Sequence, residues 1–127
     1  MRARLRLRRS DVAGLAERAP RALEAALGVV AENALADTEE YVPYETGALV
    51  GSGQTRASGR RASLMWGTDG DTAEYARPQY YEPHDHSTDA NAAHSPRATD
   101  HWAEASAREN GGRWRDMLAH ELGEAIS

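Results

Sequence analysis

The clearest pattern in the chain is an apolar stripe. Leu23, Leu27, Val30, Ala34, Thr38 and Tyr41 recur at three- and four-residue spacing, the period of one helix face. Arg21, Glu24, Glu32 and Glu39 lie largely off the stripe. The spacing predicts a helix over residues 20–41, with its stripe in the core. Pro20 suits the first helical position, where a missing N–H leaves nothing unpaired. Pro43 forces the helix to end near Tyr41 or Val42. Ahead of this helix the period is two. Arg2, Arg4, Arg6 and Arg8 alternate with Ala3, Leu5 and Leu7, which predicts a strand with one basic and one apolar face. So short a strand must pair with a sheet edge, its own or a partner's. Ser10 and Asp11 are N-cap types and predict a short helix over 11–18.

After Pro43 the pattern turns strand-like. Residues 48–57 and 61–67 read as two strands joined by a short turn at Ser58, Gly59 and Arg60. The first is weak by propensity, with Ala48, Gly51, Ser52 and Gly53 in it. In the second, Leu64 and Trp66 alternate with Ser63 and Met65. Thr68 to Thr72 reads as a turn, and residues 73–81 as a short helix carrying tyrosines. Residues 82–97 read as a long polar loop, the kind of exposed segment that carries contacts. Thr99 or Asp100 caps a predicted helix over 100–109. Asn110, Gly111 and Gly112 should end it. Trp114, Met117, Leu118, Leu122 and Ala125 mark a last helix near 112–125.

Composition makes the core thin. Of 51 apolar residues, 24 are alanine, and there is no phenylalanine and one isoleucine. Small domains gain only a few kcal/mol from such a core, and completing it against a neighbouring subunit is one solution. At 127 residues the chain is expected to be one domain. Without cysteine, disulfides and thiolate metal sites are excluded. The longest apolar run, Ala25 to Ala31, falls far short of the roughly 20 residues that span a bilayer. No apolar segment follows the basic start, so no secretory signal is expected.

Charge is unevenly spread. Residues 1–10 carry five arginines and no acid, whereas the remainder carries ten arginines and twenty acids, a balance of −10. Every Lys/Arg-type cation is arginine, which a base-composition bias would produce without selection. That balance predicts no bulk nucleic-acid binding by the folded body, since phosphate contact needs a positive surface.

Few residues offer chemistry. His84, Asp85 and His86, with Asp89 and His94, are metal-ligand types. A structural metal needs ligands held rigid by a second layer of contacts, and a polar loop offers little, so ordinary solvated histidines are the better reading. Glu39 and Glu40 point to different faces of a helix, and with Glu45 they read as solvated carboxylates. No glycine-rich phosphate loop, nucleophile elbow or paired-histidine helix motif occurs. No catalytic residue, metal ligand or cofactor is therefore assigned. Among the aromatics, Trp66 and Trp102 are expected in the core and Tyr80 or Tyr81 at a subunit contact.

The run from Tyr41 to Ser52 contains Pro43, Thr46 and Gly47. Gly47 can reverse the backbone, and the Thr46 hydroxyl can hold the reversal. These three are expected to form a rigid structural corner between helix and strand. With Trp66, the run Tyr75-Ala76-Arg77-Pro78-Gln79-Tyr80-Tyr81, and Pro96-Arg97-Ala98-Thr99 before Trp102, this order resembles the small minor capsid and neck proteins of tailed bacteriophages. The resemblance covers roughly residues 38–118. It departs from the family pattern at 84–95 and in the arginine-rich start.

The fold expected is α+β: a small antiparallel sheet packed against a long N-terminal helix and a C-terminal helix, with residues 48–57 and 61–67 joined by an N- or C-terminal edge strand. The resemblance implies a structural virion protein, a ring of subunits at the head–tail junction acting as neck, connector or tail completion protein. It implies other head, neck and tail proteins as partners, assembly in the host cytoplasm, no membrane, no cofactor and no reaction. DNA contact in a channel is allowed but not expected to be sequence-specific. The basic arm, residues 1–9, with Arg4, Leu5, Arg6 and Leu7, is expected to bind a partner subunit as an added strand. Two alternatives stand beside this: a metal-dependent hydrolase using the histidine loop, and a nucleic-acid-binding module using the arginine arm.

Overall fold

The computed structural model describes residues 1–5, 14, 17–68 and 70–126. It has the expected α+β architecture. Three antiparallel strands form one sheet: β1 (Arg2–Leu5), β2 (Gln54–Ser58) and β3 (Arg61–Met65), in the order β1-β3-β2. The edge partner is therefore the N-terminal strand, paired Arg2 to Met65 through Leu5 to Ala62. The other edge, β2, joins β3 by a tight turn in which Gly59 has φ 61°. The arm's residues 6–9, and most of the helix predicted over 11–18, lie outside the described residues; Gly14, Glu17 and Arg18 have helical backbone.

The long helix α1 (Pro20–Thr38) crosses the sheet and continues as a 3-10 turn, Glu39–Tyr41. Its stripe is buried as predicted, from Leu23 to Thr38, and Tyr41 follows in the 3-10 turn. Val42 is already extended (φ −83°, ψ 125°), the conformation its following proline requires.

Three elements differ from the sequence reading. Residues 48–53 are not strand. A one-turn helix α2 (Ala48–Gly51) occupies them, and only Gln54 onward joins the sheet. The physical reason is Gly47, whose φ of 86° turns the chain into that helix and lets its carbonyl accept the Gly51 N–H at 2.8 Å. Within the loop 82–97 a short helix α4 (Asp89–His94) forms, capped by Thr88, whose hydroxyl accepts the Asn91 N–H. The last two predicted helices are one: α5 (Trp102–Ile126) runs straight through Asn110-Gly111-Gly112. Two interior glycines cost about 1 kcal/mol each. Packing on either side, through Trp102, Ser106, Trp114, Leu118 and Leu122, outweighs that. Asn110 does not cap a helix end, because its amide donates back to Ser106 Oγ at 3.2 Å.

α5 packs along α1. Between them Thr38 Oγ1 donates to Ala34 O and shares a buried 2.8 Å hydrogen bond with Ser106 Oγ. At the edge of that contact Asp37 accepts from Trp114 Nε1 at 2.8 Å and pairs with Arg113. The remaining helix, α3 (Gly70–Tyr81), closes one end of the core. It approaches β3 so closely at Gly67 (φ 66°) that an added Cβ would lie 2.4 Å from Ala76 Cβ. Trp66 and Trp102 are both fully buried and meet edge to face at 5.9 Å, joining the end of β3 to the start of α5. No helix among the described residues is long and apolar enough to cross a membrane.

Candidate functional site

Two regions gather the residues singled out by sequence. The first is the corner. Thr46 Oγ1 accepts the Ala48 N–H at 3.3 Å across the reversal. Pro43 is buried, and Tyr44 stacks on His94 with ring centres 4.1 Å apart. The corner is thereby joined to the histidine loop, a contact no spacing in the sequence announces. Asn91 makes the joint. Its Oδ1 accepts the Tyr44 N–H at 2.7 Å, and its Nδ2 donates to the His86 carbonyl at 3.0 Å. A second joint follows: the Arg97 N–H donates to Glu40 O and the Thr99 N–H to Tyr41 O, at 3.0 and 3.1 Å. The Arg97 guanidinium reaches Tyr41 Oη, Glu40 and Glu109; the Tyr41 hydrogen bond first, and Glu109 after it, hold its pKa above the usual value.

The histidines do not converge. His84 Nε2 lies 3.1 Å from the Pro78 carbonyl, His86 meets the His84 ring edge to face at 6.3 Å, and His94 turns to Tyr44. Asp85 is held by Ser87, whose hydroxyl and N–H both bond its carboxylate and lower its pKa. Among the described residues no group of three His, Cys, Asp or Glu side chains is placed to hold a metal ion.

The second region is a groove of about 500 Å³ between β1 and the first half of α5. Leu64, Tyr80 and Trp114 line it with Ala103, and Arg4 and Tyr81 border it, so the structure brings Arg4, Tyr80 and Tyr81 to one place. The two tyrosines differ. Tyr80 is 2% exposed, packed edge to face on Trp102 at 4.7 Å. Burial, with the Glu104 carboxylate adding to it, pushes its pKa up to about 12. It is a core residue, so of the pair only Tyr81, 49% exposed, presents its ring outward. Tyr81 Oη also contacts Met1 Sδ at 3.7 Å, while Met1 and Trp66 exchange backbone hydrogen bonds at 3.1 and 3.3 Å. The arm's first strand thus adds to its own chain's sheet through β3. The side chain of Leu5, and residues Arg6 and Leu7, lie outside what is described.

The residues singled out by sequence thus gather at two places, the corner with the histidine loop and an open groove along the sheet edge. The chain belongs to the minor capsid protein family, whose model matches residues 9–121. These are structural proteins of bacteriophage virions. No curated protein matches the chain, and no solved structure does.

Proposed function

We propose that this chain is a non-catalytic subunit of the phage neck, a ring at the head–tail junction serving as connector or tail completion protein. Family membership over residues 9–121 is the observation that carries the reading, since it makes the chain a virion component. Three further features support the ring. The core is rich in alanine, with Ala26, Ala31, Ala34, Ala62, Ala76 and Ala103 all buried. Among the described residues no strand pairs with the outer backbone edge of β1. The groove along that edge has Tyr81 and Arg4 at its border, the residue types that anchor subunit contacts. A ring covers such a surface by a head-to-tail interface between copies. The reading of the histidine loop as a hydrolase centre gains nothing from the geometry, because His84 meets the Pro78 carbonyl while His94 stacks on Tyr44.

Immunogold labelling of assembled phage particles tests the position. Label concentrated at the single vertex that carries the tail is expected, and sizing of the purified chain should give a closed oligomer. Label spread over the whole head would refute the neck assignment.

A further inference from the structure

Charge in this protein is segregated by surface, and the sheet holds an uncompensated positive share. The three strands contain Arg2, Arg4, Arg56 and Arg61 and no acidic residue. The register sets Arg4, Ser63 and Arg56 on one rung. Arg2 stands beside Met65 two residues further along, and Arg61 two residues the other way. Residues two apart in a strand share a face. These four arginines therefore occupy the side opposite buried Ala62 and Leu64, and all four are exposed. Arg2 Nη2 lies across that face, 3.9 Å from Met65 Sδ. Among the described residues none of the four forms an ion pair; the paired arginines are Arg97 and Arg113, on other surfaces. Strand spacing and rise place the four within a patch about 10 Å across and about 13 Å along the strands.

We propose that this open sheet face docks the phosphate backbone of duplex DNA without reading its sequence. A duplex carries a negative charge per roughly 1.7 Å of axis, so about 13 Å presents about eight charges, of which one side faces the sheet. Guanidinium groups bind phosphate through two parallel N–H donors, and the Ser58 and Ser63 hydroxyls can add to them. The strands contain no aromatic residue, so there is no platform for stacking the bases of a single strand. An acidic protein partner is the weaker fit. Such interfaces centre on aromatic and apolar anchors, and the exposed Tyr81 and Val29 both lie outside these strands. The overall charge of −5 then acts as an orienting field that turns this basic face toward a polyanion. The sequence balance of −10 outside residues 1–10 averages over surfaces and hides Arg56 and Arg61, which the register sets beside Arg2 and Arg4 of the basic start.

The test is fluorescence anisotropy of the full chain with a labelled duplex of arbitrary sequence, between about 50 and 200 mM salt. Weak binding that falls steeply with salt is expected, and R56Q/R61Q should flatten the log–log slope by about 1.8. R108Q/R115Q, on α5, should leave the slope unchanged. A second readout avoids variants: duplex DNA should shield Arg56 and Arg61 of the native chain from an arginine-modifying reagent, scored by mass spectrometry. No binding at the lowest salt, an unchanged slope in R56Q/R61Q, or modification unaffected by DNA would each overturn the proposal. So would loss of self-association in R56Q/R61Q with DNA binding intact, which would make the face a subunit contact. The proposal draws on the virion reading only for the source of the DNA. Its failure would leave the particle-labelling result standing, and the reverse also holds.

Discussion

Replacing Asn91 should uncouple the corner from the histidine loop. Asn91 is 6% exposed, and its amide serves two backbone groups far apart in sequence, the Tyr44 N–H and the His86 carbonyl. N91A orphans both. A backbone group left dry costs about 1–3 kcal/mol. Both sites are part-buried, so water recovers some of this, and a total of about 2–4 kcal/mol is expected. For a chain of this size that lowers the melting temperature by roughly 6–15 °C. N91D separates the two bonds. Its carboxylate still accepts from Tyr44 but sets a second oxygen against the His86 carbonyl. The protonated carboxyl can donate to the His86 carbonyl, which raises its folded pKa above the usual carboxylate range, so N91D should come nearest wild type below about pH 4 and fall away as pH rises through the raised value. Thermal melts across pH supply the energies, and hydrogen exchange at the Tyr44 amide supplies the location, with faster exchange in N91A. A melting point for N91A within about 1 °C of wild type would refute the bridging role, as would N91D tracking N91A at every pH.

Three other outcomes are expected. Gly47→Val should destabilise by about 1–3 kcal/mol in denaturant melts, since φ is 86° and an added Cβ would sit 2.8 Å from Tyr44 Oη; unchanged stability would remove the corner argument. Gly112→Ala should stabilise by about 0.5–1 kcal/mol, because the site is exposed on a continuous helix and the nearest atom is Arg115 Nη2 at 3.8 Å; a loss of that size would restore a helix break there. The Tyr80 phenol should titrate near pH 12 by ultraviolet absorbance, above the ordinary phenol value of 10.0. Its folded pKa is raised, so its contribution is complete below pH 10 and disappears as pH climbs to about 12; a Y80F protein that loses stability over that window as wild type does would count against it.

What was legible in the sequence followed from periodicity. Leu23 to Tyr41 repeats for five turns, long enough to fix both the helix and its buried face, and Pro43 fixed where it ends. Arg2 to Leu7 alternates cleanly, so the strand was readable, but its partner was not, because pairing with β3 is a long-range event. Residues 48–53 misled because Ala48, Leu49 and Val50 suit either state, and one left-handed glycine decided between them. Asn110-Gly111-Gly112 misled in the opposite direction, since local propensity favoured a break that packing overrode. Asp89–His94 has no apolar stripe, so periodicity could not find it. The arginine face needed the register of three strands before Arg4 and Arg56 could be placed on one rung. Asn91 carried no signal beyond lying in a polar loop near a Thr cap.

The strand order sets a schedule for folding. β1 leaves the ribosome before α1, yet its hydrogen-bonding edge on β3 follows some sixty residues later, as the Met1 to Trp66 separation of 65 shows. At about 5–20 residues per second, β1 waits roughly 3–12 seconds for that edge. The β2–β3 hairpin closes locally, but a two-stranded hairpin is marginal until a helix covers it or a third strand joins. Closing so long a loop is the slow kind of step that high contact order imposes. Until it happens, both faces of the edge are open in every nascent copy: the strand without a partner and β3 without its cover. Chains made side by side on one message would thus meet while each holds half of the same junction, and exchange of β1 between copies competes with self-closure during that interval.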